Sequence, residues 1–299
     1  LRPIDLHLSS LRLMGAQIET EGGVLSCRCP DGLRGEKITL SFPSVGATEN
    51  ILIAAASADG ETVILNAARE PEIADLADFL CSCGAHISGA GSGEITVCGM
   101  KKLHSAEHTV IPDRIIASTY MAAAAVTGGD VRILDTRAEH ITPVIPVFEQ
   151  AGCKVDCGEN SVHISAPVRL RSVQTVRTMP YPGFPTDSQA AVMAMLSVAH
   201  GTSVMIENIF ENRYRHVREL CRLGADIMTE GKVAVIKGVE TLTGACVCAA
   251  DLRAGTALAV AGLAAQGSTT IENVCLIDRG WQDMEEKLRS LGADIRRES

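Results

Sequence analysis

A short phrase that ends a helix recurs along the chain at nearly constant spacing, and this repeat constrains the fold more than any other feature. The phrase is Leu-x-x-x-Gly-Ala-x-Ile, with one degenerate copy, and its glycines are Gly15, Gly84, Gly152, Gly224 and Gly292. Successive glycines lie 69, 68, 72 and 68 residues apart. Such a period is too long for a solenoid unit and suits a small α/β module repeated within one chain. Each copy predicts a helix C-terminus, a left-handed glycine and then a strand.

A second repeat has the same period. Ala-rich segments run into a glycine and a β-branched stretch, at Gly60, Gly129, Gly201 and Gly267. These segments are apolar almost all round, which predicts helices buried on every side at residues 51–58, 115–126, 189–199 and 254–265. Each has fewer than 18 uninterrupted apolar residues, so none predicts a membrane span. The sequence therefore predicts buried helices inside and sheets outside.

The composition limits the classes of partner. The chain has 299 residues, is 46% hydrophobic and carries a formal net charge of -9. It is long enough for a large core and two domains. The negative charge argues against nucleic acid or an anionic membrane surface as a bulk partner, although a few arginines could still bind a small anion.

Eleven cysteines occur without a visible disulfide framework, which indicates a reducing cytoplasm. Six of them form three C-x-C pairs, namely Cys27/Cys29, Cys81/Cys83 and Cys246/Cys248. A metal site is one interpretation, but no C-x-x-C pair and no Cys/His cluster accompanies them. The sequence favours small, inert core residues, and it predicts no metal site.

Polar or acidic residues lie in the loops that start the Ala-rich helices. Thr48, Asp113, Asp187 and Asp251 are all suitable N-cap residues, so helix capping alone could explain them. Capping does not explain Arg114 and Arg253, because a cation at a helix N-terminus opposes the helix dipole. Helix N-termini together with arginines suit an anionic substrate, and we favour that function over capping alone.

Three more arginines, Arg69, Arg213 and Arg279, follow equivalent strands in their modules. A solvated ion pair with a neighbouring carboxylate could explain each one singly. Their recurrence at the same place in successive modules favours a shared function.

Several motifs together resemble the UDP-N-acetylglucosamine enolpyruvyl transferase family, from residue 2 to the C-terminus. The motifs are Arg2-Pro-Ile-Asp-Leu-His7, Ser44-Val-Gly-Ala-Thr48, Asn66-Ala-Ala-Arg-Glu-Pro-Glu-Ile73, Phe184-Pro-Thr-Asp187, Phe210-Glu-Asn-Arg213, Asp251-Leu-Arg-Ala254 and Ile277-Asp-Arg-Gly280. The resemblance implies an inside-out α/β barrel of repeated modules in two domains. Residues 1–111 would be an incomplete first domain and residues 112–299 a second domain of three modules.

Six modules of about 70 residues would make a chain of about 420, so we expect that about 120 residues of the enzyme are missing before Leu1. In the family that segment carries the loop with the catalytic cysteine. None of the eleven cysteines here has a matching Gly-Gly-Cys context. We therefore expect the missing N-terminal segment to be a required partner and this chain alone to be almost inactive.

The resemblance implies roles for individual residues. Contacts with the nucleotide sugar are expected at Arg2, Pro3, Ile4, Asp5, Leu6, Ser44, Val45, Asp187 and Ile209. Catalytic roles around phosphoenolpyruvate are expected at Asp187, Asp251, Arg253 and Arg279. Asp187 matches the carboxylate that bonds the sugar 3-hydroxyl and takes its proton. Phe42 and Trp281 depart from the family pattern, which more often has a lysine and a tyrosine at these places.

The implied reaction transfers the enolpyruvyl group of phosphoenolpyruvate to UDP-N-acetylglucosamine, releases phosphate and commits the sugar to peptidoglycan synthesis. It needs no metal or organic cofactor. Three alternatives stay open: a shikimate 3-phosphate enolpyruvyl transferase, a non-catalytic remnant that binds nucleotide sugar, and a repeat scaffold that binds nothing. The motifs at Arg2–His7 and Ser44–Thr48 favour the nucleotide sugar, and the arginine and aspartate row argues against a scaffold.

Overall fold

A computed structural model describes residues 4–100 and 102–298. Contacts divide these residues into two compact units. Unit 1 contains the described residues up to Ile111 together with Pro180–Pro182. Unit 2 contains Pro112–Met179 and the described residues from Gly183 onward.

Unit 1 contains one Ala-rich helix beside a four-stranded sheet. In chain order its elements are α1 (Asp5–Leu13), β1 (Gln17–Glu21), β2 (Val24–Arg28), β3 (Lys37–Thr39), α2 (Val45–Ala55), β4 (Glu61–Leu65), α3 (Pro71–Ser82), β5 (His86–Ser88) and β6 (Glu94–Cys98). Strands β1 and β2 pair as a separate antiparallel hairpin. The core of this unit forms around α2, where Ile51 and Leu52 are fully buried.

Unit 2 is larger and contains three Ala-rich helices. Its first half consists of α4 (Arg114–Val126), β7 (Asp130–Leu134), α5 (Ala138–Ile141), α6 (Ile145–Gln150), β8 (Lys154–Cys157), β9 (Ser161–Ser165), β10 (Thr175–Arg177) and α7 (Gln189–Leu196). Its second half consists of β11 (Thr202–Ile206), α8 (Val217–Arg222), β12 (Asp226–Glu230), β13 (Val233–Lys237), β14 (Leu242–Thr243), β15 (Cys246–Cys248), α9 (Leu252–Ala264), β16 (Ala265–Gln266), β17 (Thr270–Glu272), α10 (Cys275–Asp278) and α11 (Met284–Ser290).

The repeated module is visible in the sheets. The strand order is β3-β4-β6-β5 in unit 1 and β10-β11-β13-β12 in unit 2. In both sheets the first pair is parallel and the other two pairs are antiparallel. The alternation of buried residues also agrees, because Ile64 of β4 and Met205 of β11 occupy the same strand position and are both fully buried. The period in the sequence is therefore a period in the structure.

The three Ala-rich helices of unit 2 pack on one another, and the sheets lie around them. All eight residues of α7 are buried. Alanine and glycine allow close packing, because a Cβ at Gly255 in α9 would meet the Ile277 side chain at 2.5 Å. None of the helices in the described part of the chain has both the length and the apolar character of a membrane span.

All five copies of the first phrase end a helix in the same way. The glycine adopts a left-handed backbone, with φ between 91° and 102°, and the next residue donates its amide hydrogen to the carbonyl five residues earlier. For Ala85 and Leu80 this N–O distance is 3.0 Å. This is the Schellman pattern, which satisfies a free carbonyl at the helix end.

Two predictions from the sequence are wrong. No strand follows Gly292 within the described residues, although β1, β5, β8 and β12 follow the other four copies. Five of the six cysteines of the C-x-C pairs are not core residues either. Only Cys83 is buried, whereas Cys27, Cys81 and Cys246 are exposed. Cys27 lies in β2, where every residue is exposed, Cys81 lies in the last turn of α3, and Cys246 begins β15. Single small apolar residues are tolerated at such surface positions.

Candidate active site

Asp187 lies in the loop before α7, and its carboxylate is not used to cap that helix. The N-cap position belongs to Ser188, one residue later. The expectation that Asp187 could be a capping residue is therefore wrong. Its side chain is 41% exposed and instead faces two arginines.

Arg213 and Arg253 bring two positive charges to this carboxylate. Arg213 follows β11 and donates through Nη2 to Asp187 Oδ1, while Arg253 lies in the first turn of α9 with its Nε 3.2 Å from the same oxygen. Burial raises the pKa of Asp187, but the charges of Arg253 and Arg213 outweigh it and hold the pKa below its ordinary value. Asp187 is therefore an ionised hydrogen-bond acceptor at neutral pH.

Arg213 is held in place by more than the ion pair. Its guanidinium carbon lies 5.3 Å from the centre of the Phe210 ring, at cation–π distance. The buried Nε has no hydrogen-bond partner among the described residues, so the guanidinium keeps an unused donor. The sequence singled out Arg213 by its place in the module but did not assign it to the site. Arg213 and Arg279 occupy equivalent positions in their modules, and this equivalence could have assigned Arg213 to the site.

Asp251 is the N-cap residue of α9, as the sequence allowed. Its Oδ1 accepts from the Ala254 amide at 2.8 Å. Asp113 caps α4 in the same way, through the amides of Ile115 and Ile116. The cap at Asp251 fixes the first turn of α9 and so places Arg253.

Arg279 lies at the end of α10, next to buried Trp281. The neighbouring carboxylate of Asp278 is held by Arg297, with N–O distances of 2.9 and 2.7 Å, and Arg297 also contacts Glu285. Because Asp278 is already paired with Arg297, it does not form the local ion pair that could have explained Arg279. Within the described chain, Arg279 makes no ion pair with Asp187.

The predicted nucleotide contacts of unit 1 lie at the starts of two packed helices. Arg2 and Pro3 fall outside the described residues. Ile4 precedes α1, and Asp5 and Leu6 are its first two residues, while Ser44 caps α2 by accepting from the Ala47 amide at 3.3 Å and Val45 begins that helix.

His7 joins these two helix starts. Its ring lies against Gly46, where an added Cβ would meet it at 3.1 Å, and it bonds the Asn50 side chain. The expected cap at Thr48 is wrong. Thr48 lies inside α2, where its hydroxyl donates to the Ser44 carbonyl and accepts from the Ala68 amide.

Ile209 belongs to unit 2 and lies between β11 and Arg213. Its amide donates to Glu207 at 2.8 Å, and its side chain is half-buried. Unit 2 therefore brings Asp187, Arg213 and Arg253 together and places Ile209 on the loop that carries Arg213. Across the described residues, no group of three or more His, Cys, Asp or Glu side chains could hold a metal ion.

Comparison with known proteins identifies the family. The family model for EPSP synthase (3-phosphoshikimate 1-carboxyvinyltransferase) matches residues 1–288. Two UDP-N-acetylglucosamine 1-carboxyvinyltransferases of Caldanaerobacter subterraneus are 50% and 53% identical over 294 and 296 residues. These matches cover 98% and 99% of this chain and 70% and 71% of the relatives. The chain belongs to the UDP-N-acetylglucosamine 1-carboxyvinyltransferase family.

Solved structures agree with this family. The enolpyruvyl transferase NikO from Streptomyces tendae superposes with a TM-score of 0.89 at 26% identity, over 99% of this chain and 72% of NikO. EPSP synthase from Acinetobacter baumannii, at 24% identity, shares the fold with a TM-score of 0.75 over 98% of this chain and 71% of its own. The predicted family, its transferase class and the inside-out α/β fold are confirmed. The roles of individual residues stay predictions.

Proposed function

We propose that this protein transfers the enolpyruvyl group of phosphoenolpyruvate to the 3-hydroxyl of UDP-N-acetylglucosamine, in peptidoglycan synthesis. The observation that carries this proposal is the Asp187 carboxylate between Arg213 and Arg253. The cluster combines an acceptor for a sugar hydroxyl with cations for an anionic substrate. The names of the relatives support the same substrate. The free cysteines, most of them exposed, support a reducing cytoplasm.

Asp187 accepts a hydrogen bond from the 3-hydroxyl and takes its proton as the hydroxyl oxygen attacks C2 of phosphoenolpyruvate. With both arginines beside it, the carboxylate is a weak base, because their charges lower its pKa. When the anions of phosphoenolpyruvate draw positive charge toward themselves, the pKa of Asp187 rises toward its ordinary value. Binding of the second substrate therefore strengthens the base at the moment it is needed.

The arginines bind the anionic groups of phosphoenolpyruvate. Arg253 and Arg279 hold its carboxylate and phosphate, and Arg213 adds a third positive charge beside Asp187. In the addition step a C–O bond forms at C2 while C3 gains a proton. In the elimination step the bond from C2 to the phosphate oxygen breaks, C3 loses a proton and phosphate leaves. Asp251 acts by holding the first turn of α9 under Arg253.

The nucleotide end is bound by residues that the resemblance assigned. These are Arg2, Pro3, Ile4, Asp5, Leu6, Ser44 and Val45, and Ile209 as a contact to the sugar nucleotide. Backbone amides at helix starts, such as those after Ser44, suit the oxygens of an anionic nucleotide.

The 299-residue chain is expected to turn over slowly by itself. None of its eleven cysteines follows two glycines, which is the context of the family's catalytic cysteine, so no cysteine of this chain is assigned as the acid that protonates C3. Phosphate release at rates typical of enzymes, about 1 per second or faster, would show that this chain contains its own acid.

A second candidate substrate is shikimate 3-phosphate, because the matching family model carries that enzyme's description. Competition binding separates the two substrates. The chain is titrated with UDP-N-acetylglucosamine in a calorimeter, with and without excess shikimate 3-phosphate. Our proposal predicts saturable binding of the nucleotide sugar that shikimate 3-phosphate does not displace. Binding of shikimate 3-phosphate alone would overturn it.

A further inference from the structure

Glu207 is a buried carboxylate that the proposed reaction does not use. It directly follows β11, and only 1% of its surface is exposed. A charged group at this depth is costly unless it is fully hydrogen-bonded. The structure shows what satisfies it.

Four donors surround this carboxylate. Oε1 accepts from the Thr178 hydroxyl at 2.9 Å and from the amides of Ile209 and Phe210 at 2.8 and 3.0 Å. Oε2 accepts from the Thr186 hydroxyl at 2.9 Å. The Thr178 hydroxyl in turn accepts from the Asn208 amide at 2.8 Å, which fixes its direction of donation. An ionised carboxylate only accepts hydrogen bonds, so it suits this set of donors.

The donors come from separate segments that meet at the candidate site. Thr186 is the neighbour of Asp187 in the loop before α7. Ile209 and Phe210 begin the loop that carries Arg213, whose guanidinium lies over the Phe210 ring. One side chain therefore fixes both the loop of the acceptor carboxylate and the loop of its arginine partner.

We infer that Glu207 is a positioning residue, which sets the distance between Asp187 and the Ile209–Arg213 loop and thereby shapes the sugar-binding side of the site. The identity of the ligand, UDP-N-acetylglucosamine, rests on the function proposed above. The positioning itself depends only on the four hydrogen bonds. Glu207 contacts no substrate in this account and acts through Thr186 and the two loop amides.

Two substitutions at this position separate acceptor geometry from charge. In Glu207→Gln the amide oxygen can keep the three bonds at Oε1, and the amide nitrogen can donate to the Thr186 hydroxyl, which rotates to accept. In Glu207→Ala the Ile209 and Phe210 amides lose their partner. Val162→Ala in β9 is the matched control, because Val162 is fully buried and lies outside this network. It lowers stability without touching the loops.

Two measurements on the whole chain test the inference, at a temperature where every variant is folded. Hydrogen exchange follows the Ile209 and Phe210 amides without ligand, and calorimetry gives the dissociation constant for UDP-N-acetylglucosamine. We expect Glu207→Ala to speed exchange of both amides and to weaken binding at least tenfold, as befits lost buried hydrogen bonds. Glu207→Gln and Val162→Ala should stay within about threefold of the unsubstituted chain in both readouts, because neither leaves the two amides unpaired.

The inference is overturned if Glu207→Ala lowers the melting temperature but leaves both exchange and binding unchanged, since Glu207 would then only stabilise the fold. It is also overturned if Glu207→Gln behaves like Glu207→Ala, because acceptor geometry would not be what matters. If the unsubstituted chain does not bind UDP-N-acetylglucosamine, the proposed function fails. The exchange of the two loop amides then still decides whether Glu207 positions the loop.

Discussion

The Ala-rich helices of the two units share an apolar pattern but have different surroundings. In unit 2, α4, α7 and α9 pack on one another, and every residue of α7 is buried. In unit 1, α2 packs on α1 and α3 and leaves Ile53 54% exposed. An apolar pattern all round a helix thus predicts burial only where equivalent helices surround it. A shared apolar pattern therefore gives a closed core in one unit and a partly exposed helix in the other.

The largest expected effect comes from removing a side chain from the closed core. Leu258 of α9 is fully buried, so Leu258→Ala should lower the free energy of unfolding by about 2–5 kcal/mol. Ile53→Ala in α2 should change it by no more than about 0.5 kcal/mol, because most of that side chain already contacts solvent. Chemical denaturation measures both, and Trp281, the only tryptophan, reports on unit 2. Equal losses for the two variants would contradict the difference in burial between α9 and α2.

The closed core of unit 2 should also produce an acid-sensitive stability. Burial, opposed by the charge of Asp251 and aided by that of Arg213, lowers the pKa of His216 to about 4. The unfolded chain, with an ordinary histidine pKa of about 6.5, therefore binds more protons between these two values. The contribution of His216 to the free energy of unfolding is fully present above pH 6.5. It is lost as the pH falls toward 4, and the total loss is about 3 kcal/mol.

His216→Gln tests this, because glutamine stays neutral. Its free energy of unfolding should fall less steeply between pH 7 and pH 4 than that of the unsubstituted chain. His200→Gln, at an exposed histidine of the same unit, is the control and should keep the full slope. A slope unaffected by His216→Gln would mean that His216 is not held neutral by the core.

A helix cap gives a smaller effect. Asp251→Ala removes the cap of α9 and should cost about 1 kcal/mol, whereas Asp251→Asn keeps an acceptor and should cost much less. Thermal unfolding of both variants measures the difference. If the two variants lose the same stability, the charge of Asp251 rather than its capping bond supports α9.

The smallest expected effect has the opposite sign and lies in unit 1. Partial burial, followed by the charges of Glu72 and Glu70, raises the pKa of Glu49 in α2. Because the folded state then favours the protonated form, Glu49 costs stability once the pH exceeds the unfolded value. Glu49→Gln should therefore raise the melting temperature at pH 8 more than at pH 4. A lower melting temperature at pH 8 would contradict this.

The repeat made the modules predictable, because a glycine at a helix end has a backbone preference that does not depend on distant residues. Gly15, Gly84, Gly152 and Gly224 end helices and precede strands as predicted. The cap of α2 was less predictable, since Ser44 and Thr48 are both good capping residues and the start of the helix decides between them.

The centre of the site depends on contacts between distant residues. Asp187 could be identified by its motif, but Arg213 lies 26 positions away in sequence, and nothing in the local pattern states that its guanidinium meets Asp187. Glu207 was missed for the same reason, because two of its four donors, Thr178 and Thr186, lie 29 and 21 positions away in sequence. The burial of cysteines was mispredicted because the C-x-C spacing does not distinguish an exposed strand or helix end from a buried one.

In the proposed function, Asp187, held by Arg213 and Arg253, binds the hydroxyl side of UDP-N-acetylglucosamine. Calorimetric titration of the nucleotide sugar into the unsubstituted chain and Asp187→Ala tests it most directly, with Asp226→Ala, at an exposed aspartate of β12, as the control. We expect Asp187→Ala to bind at least about tenfold more weakly, because a charged hydrogen bond is lost, and we expect the control to bind normally. Binding by a folded Asp187→Ala chain that equals the unsubstituted one would contradict it.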